Sequence, residues 1–241
     1  GNPGAGQPPS RLGAYAGSSI PAGVAAGGAC GFLNGVLVVR GRIPPFIATL
    51  GMLGIARGLV LAITGGGSIS EMAPGFETMA GGRVWGVPLP LFVVASLALL
   101  LWVVMERTAL GRYAHAIGGN REATRLSGVA VERHLTTIFV LAGLCSGLAG
   151  VLLLSRVGVA MPTAGEGYEL DAVAAAVIGG ASLAGGEGGI GGTLIGAFLM
   201  GVLRNGCNLL NMSEGWQRVT IGLLIVGAVF WDQVRRRARE S

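Results

Sequence analysis

The sequence predicts an all-α protein: a polytopic transmembrane helix bundle of about seven membrane segments, with a short broken helix pair around residues 185–192. Three observations lead there. Of 241 residues, 51% are hydrophobic and only 12% are charged, against about 25% charged in an average soluble domain. The mean hydropathy is +0.67, so a globule of this size could not cover itself with a solvated surface. The apolar residues also fall into discrete runs of near-helix length rather than alternating in strands.

Taken in order, the chain opens on Gly1, and residues 1–11 form a Gly/Pro/polar stretch without the basic and apolar regions of a signal peptide. This stretch is expected to be an extracytoplasmic loop with something missing in front of it. Residues 12–234 form the expected transmembrane domain, and 235–241 a basic cytoplasmic tail. The first apolar segment, 12–39, is interrupted by Pro21 and stops at Arg40-Gly41-Arg42. Segments two to four are 45–63, 88–105 and 135–154. Segments five (172–183) and six (190–203) are each too short to cross a hydrocarbon core of about 30 Å. They flank a glycine-rich break of the kind transporters shelter near the bilayer interior. Segment seven, 219–231, ends at Arg235, Arg236, Arg237 and Arg239.

All 17 basic residues are arginine. With no lysine, a Walker A nucleotide loop is excluded. Placing residues 40–42, 106–134 and the tail in the cytoplasm puts eleven arginines inside and five outside, as the positive-inside rule requires. The pI near 9.9 therefore reflects membrane topology, and no nucleic-acid partner is expected. Arg57 lies inside segment two, where it either snorkels to the outer interface, pairs with a buried group, or lines a pore.

The 45 glycines are expected to pack helices. Gly23, Gly27, Gly31 and Gly35 recur every four residues and share one helical stripe. The pairs Gly54/Gly58, Gly143/Gly147 and Gly192/Gly196 repeat that spacing. Small residues so placed let backbones approach closely in lipid.

Chemistry-bearing patterns are sparse. Gly186 to Gly191 matches G-x-G-x-x-G, but the following run has no polar face for a soluble nucleotide-binding helix. His115 and His134 are isolated, and Cys30, Cys145 and Cys207 are far apart within or beside apolar runs. No metal, cofactor or catalytic residue is assigned. Asp171 is expected to cap the fifth segment.

The longest polar stretch, 106–134, contains Asn120 followed by Glu122 and Ala123, a pattern that starts a short helix, with Gly128 to end it. Such a helix either docks a cytoplasmic partner or forms part of a solvated loop. The stretch Gly111-Arg112-Tyr113 through Gly119-Asn120-Arg121-Glu122-Ala123-Thr124-Arg125 to Gly128 resembles the coupling loop of ABC-importer permeases of the ribose/monosaccharide branch. Pro162 to Ala175, Ile178 to Gly186, Gly192 to Ala197, Asn205 to Leu210, and Pro45 to Leu50 are similar to the same branch.

The resemblance implies a permease that pairs as a homodimer and docks an ATP-binding-cassette subunit. It further implies a sugar received from a periplasmic binding protein at a bacterial inner membrane, where the arginine distribution already places the carboxy terminus in the cytoplasm. On this reading Gly111, Arg112, Gly119, Asn120, Arg121, Glu122, Ala123, Arg125 and Gly128 form the coupling element. Phe46, Thr49 and Asn208 are candidates for the translocation path. Family members carry about ten membrane helices, so the segments here would be the last seven, lacking roughly three. A Gly-Ile-Asp-Leu-Ser-Val-Gly-like stretch typical of the earlier helices is absent. Two alternatives remain open: a branched-chain amino-acid permease, and a non-transporting membrane scaffold.

Overall fold

A computed structural model describes residues 9–70 and 81–240, with side chains over 19–70, 81–213 and 215–230. Residues 1–8 of the expected amino-terminal loop, and the side chains of the basic tail, lie outside these ranges. The described elements are α1 (Pro9–Val39), α2 (Pro45–Thr64), β1 (Arg83–Val84), β2 (Val87–Pro88), α3 (Leu89–Arg107), α4 (Ala109–Gly119), α5 (Arg121–Leu126), α6 (Val131–Val157), α7 (Tyr168–Ile178), α8 (Ile190–Leu209) and α9 (Glu214–Glu240). They divide into two compact units, residues 1–95 with 132–165 and residues 96–131 with 166–241.

The helical class is as the sequence predicts, and the hydrophobic pattern is inside out for a soluble protein. Among the described residues, five helices are long and apolar enough to cross a membrane: Ser19–Val39, Pro45–Thr64, Leu89–Arg107, Val131–Val157 and Ile190–Leu209. No residue of α3 is buried, and Ile195, Phe198 and Val202 of α8 point outward. Such faces are stable only against lipid or another apolar surface.

In the first unit, α1 continues through Pro21 rather than breaking there. Its glycine stripe lies against α6. A Cβ on Gly27 would overlap the Gly143 carbonyl oxygen and come within 2.8 Å of the Gly147 Cα. One on Gly31 would overlap the Phe139 carbonyl oxygen. α2 begins with Pro45 at its first position, where proline's missing N–H costs nothing, and ends on Gly65 at φ +61. The β1–β2 hairpin is two residues per strand, with Arg83 opposite Pro88 and Val84 opposite Val87. Its turn, Trp85 (φ 53) and Gly86 (φ 82), has the two positive φ angles that a tight right-twisted hairpin requires.

In the second unit, α7, α8 and α9 meet at Ala174, Ala175, Met200 and Ile221. α7 is short, at 11 residues, as expected. The sixth segment, expected to be short, is instead the 20-residue helix α8. The expected end lay at Leu203, just before Arg204, yet the helix carries that arginine and continues to Leu209. The apolar part of α9 spans Gly215–Phe230.

Candidate functional site

The polar stretch after α3 folds into two helices. α3 ends at Arg107, and the Thr108 hydroxyl donates to the Val104 carbonyl at 2.6 Å. The chain then reverses so sharply that a Cβ on buried Gly111 would overlap the Met105 carbonyl oxygen. Only glycine fits that position without moving backbone. α4 follows, with Ile117 buried and Arg112 exposed. The sequence reading assigned no helix over Ala109–Gly119.

Asn120 ends α4 and starts α5. Its backbone N–H donates to the Ala116 carbonyl at 3.0 Å, and its Oδ1 accepts from the Ala123 N–H at 3.0 Å. The extended backbone at Asn120 (φ −153) and this side-chain bond make it an N-cap, which satisfies a helix-end donor. Glu122 in the first turn and Arg125 in the last complement the helix dipole. Thr124 is buried and donates to the Asn120 carbonyl at 2.7 Å. Ser127 is the C-cap, and Gly128 turns the chain away at φ +83. Arg121, Glu122, Ala123 and Arg125 face solvent, as does the apolar Leu126 at 81% exposure.

α4 itself is fastened to the glycine turn between α7 and α8. A Cβ on Gly118 would overlap the Gly186 amide nitrogen, and one on Gly186 would come within 2.9 Å of the Gly119 nitrogen. Gly185 and Gly186 hold φ of +96 and +80. With its proton on Nδ1, His115 donates to the Gly186 carbonyl at 3.1 Å. Ser182 N–H donates to the Glu187 carbonyl at 3.0 Å, closing the turn. The break in the helix pair is thus held against a polar helix, a partner the sequence reading did not assign. The G-x-G-x-x-G match follows the helix α7 rather than a strand, which removes its dinucleotide reading.

At the other end of α7 and α8 lies a second constellation. The N-cap of α7 is Gly167, and Asp171 sits a full turn later, too late for the capping role expected of it. Its Oδ2 instead accepts from Arg204 Nη2 at 2.6 Å. The same guanidinium lies 4.9 Å from the centroid of the Tyr168 ring. Glu169 Oε2 accepts from the Gly167 N–H at 3.1 Å. Sequence reasoning missed this group because the ion pair spans two elements and no local spacing announces it.

Of the three path candidates, Phe46 and Thr49 belong to the first unit and Asn208 to the second. Phe46 is exposed on α2, and the Thr49 hydroxyl donates to the Pro45 and Phe46 carbonyls of its own helix, each at 3.1 Å. Asn208, in the other unit, accepts from Gln217 Nε2 at 2.9 Å.

Five apolar spans among the described residues, with a polar helical excursion between two of them, define the class: a multi-pass membrane protein. The chain belongs to the family described as branched-chain amino acid transport system / permease component, whose model matches residues 11–229. It is similar to the ribose import permease protein RbsC of Escherichia coli (strain K12), at 43% identity over 222 residues, covering 90% of this chain and 69% of that protein. RbsC of Bacillus subtilis (strain 168) is 46% identical over 202 residues, covering 83% of this chain and 63% of that protein. The fructose import permease protein FrcC of Rhizobium meliloti is 40% identical over 231 residues, covering 91% and 63% respectively. The chain thus spans about two thirds of the length of these relatives. No solved structure matches it. The resemblance to the monosaccharide branch holds, and the protein is a multi-pass component of an inner membrane.

Proposed function

We propose that this chain is the translocating subunit of an ATP-driven importer for a monosaccharide of the ribose type. The relatives support the substrate class: their names specify ribose, allose, arabinose and fructose. ATP hydrolysis belongs to a separate ATP-binding-cassette subunit, and the sugar is delivered by a periplasmic binding protein. The functional unit is a homodimer, with each carboxy terminus in the cytoplasm.

The observation that carries the mechanism is the joint between α4 and the glycine turn. α5 projects Arg121, Glu122, Arg125 and Leu126 outward, a mixed charged and apolar tip suited to a groove on the ATPase subunit. Asn120 and Gly128 fix the two ends of that tip, and Ala123 presents the amide that Asn120 caps. Gly111 sets the turn into α4, while Arg112 lies on its exposed side. Movement of the tip carries α4, and α4 is fastened through Gly118, Gly119 and His115 to the turn that begins α8. Packed backbones of this kind transmit displacement because they cannot be compressed. Alternating access then follows from tilting of α8 between two arrangements. Phe46, Thr49 and Asn208 are proposed to face the path that opens.

The test is charge reversal of the tip in the assembled transporter. Arg121→Glu with Arg125→Glu is expected to abolish sugar uptake while the ATPase subunit continues to hydrolyse ATP. Normal uptake with normal subunit assembly would remove the coupling assignment. Uptake of leucine, with none of any sugar, would remove the substrate class.

A further inference from the structure

A cavity of about 400 Å³ opens beside the Asp171–Arg204 pair, at the far end of α8 from the glycine turn. Its volume is in the range of small-molecule sites. The wall is built from the first turn of α7, from Arg204 on α8, and from Gln217, Arg218 and Ile221 on α9. α8 has 20 residues and at 1.5 Å per residue spans about 30 Å. With the α4 joint on the cytoplasmic side, as proposed above, this cavity lies at the outer side, where substrate arrives.

The groups around it have a consistent chemistry. Arg204 contacts Asp171 through one nitrogen and Tyr168 through its planar face. A guanidinium has five donors and a carboxylate about four acceptor positions, so the pair leaves sites on both partners for a bound molecule. Gln217 adds an amide whose Nε2 is already held by Asn208 and by the Met212 carbonyl, at 2.9 and 3.0 Å, which fixes its orientation. Tyr168 is about half exposed, and one face of its ring is covered by Arg204. Planar polar groups that pair with vicinal hydroxyls, beside an aromatic ring that covers C–H surface, fit a neutral polyol.

Other ligand classes fit less well. The cavity's formal charges, three carboxylates (Glu166, Glu169, Asp171) against two arginines (Arg204, Arg218), disfavour a phosphorylated sugar. Among its described lining residues, Leu170 and Ile221 are the large aliphatic side chains, too little to enclose a branched apolar ligand.

We infer that the Tyr168–Asp171–Arg204–Gln217 cavity is a low-affinity binding site for unphosphorylated monosaccharide on the permease itself. It is a receiving site that the sugar occupies after leaving the binding protein. This inference rests on the sugar-import reading and adds a location to it. Weak affinity suits the position, because a site that held sugar tightly would slow its passage.

The experiment is saturation-transfer NMR on the permease in lipid nanodiscs without binding protein, titrating D-ribose, with leucine and ribose 5-phosphate as competitors. A saturable ribose signal is expected at millimolar concentration. It should weaken about fivefold in Tyr168→Ala and in Gln217→Ala, as expected for loss of one ring contact or one hydrogen bond. Tyr168→Phe should retain it, and neither competitor should displace it. The inference is overturned if wild-type permease gives no saturable signal, if both alanine variants bind as wild type does, or if a competitor displaces ribose. Uptake by the assembled transporter is measured alongside. Ribose uptake without binding at this cavity sinks the site and leaves the import reading intact, whereas leucine uptake without sugar uptake sinks the import reading itself.

Discussion

Two sets of glycines in the first unit have similar sequence spacing and opposite surroundings. Gly27 and Gly31 of α1 press against Gly143, Gly147 and Phe139 of α6, backbone on backbone. Gly51, Gly54 and Gly58 of α2 meet no described atom beyond their own stretch of helix within 4 Å of where a Cβ would stand. The same contrast recurs along α8, where Gly196 meets the Ala175 carbonyl while Gly201 faces open space. Spacing of four residues puts glycines on one stripe, but only a facing helix turns the stripe into an interface. In lipid the gain at such an interface is dispersion between closely approaching backbones, so it is lost as soon as a side chain holds them apart.

The largest effects are expected at the α1–α6 seam. Gly27→Ala and Gly143→Ala each place a methyl group on a carbonyl oxygen of the opposite helix, where no flexible side chain can give way. Overpacking of this kind costs about 1–3 kcal/mol. A lowered midpoint of thermal unfolding in detergent is the expected result. Gly111→Ala, against the Met105 backbone, should cost about as much, and hydrogen exchange should show the loosening confined to α4 and α5.

A smaller effect is expected where a side chain rather than a backbone makes the contact. Asn120→Ala removes the cap of α5, a change worth about 1 kcal/mol. Faster exchange of the Ala123 amide, with the α1–α6 seam unaffected, would check it. The smallest effect belongs to Gly54→Ala, which meets nothing and should shift the melting temperature little or raise it slightly through helix propensity. A large loss there would show that α2 packs against a surface outside this chain.

These contrasts also mark what the sequence could reveal. The α1 stripe, the Asn120 start and the Gly128 stop were legible because each depends on neighbours within a few residues. Two errors had a common cause. α8 was cut short at Arg204, and Asp171 was assigned to a cap, because the pair that explains both residues joins positions far apart in the chain. α4 was missed for a related reason. Its helical stretch contains Gly111, Gly118 and Gly119, which weaken the local signal, and two of these are glycine because of the α3 and glycine-turn backbones they touch. The turn at 185–192 was visible as irregular backbone, but its partner was not. Spacing alone left α5 open between a docking helix and a solvated loop, because both leave the same exposed face; the coupling role proposed for it rests on the family resemblance.

Motion is proposed to reach α8 through the contact of α4 with the glycine turn. This route is tested most directly by the ratio of sugar transported to ATP hydrolysed in reconstituted transporter, for Gly118→Ala beside Gly201→Ala. The first substitution intrudes on the Gly186 backbone, and the second meets open space on the same helix that the turn begins. The ratio is predicted to fall severalfold in Gly118→Ala, with ATP hydrolysis continuing, and to stay at the wild-type value in Gly201→Ala. An unchanged ratio in Gly118→Ala would contradict the account.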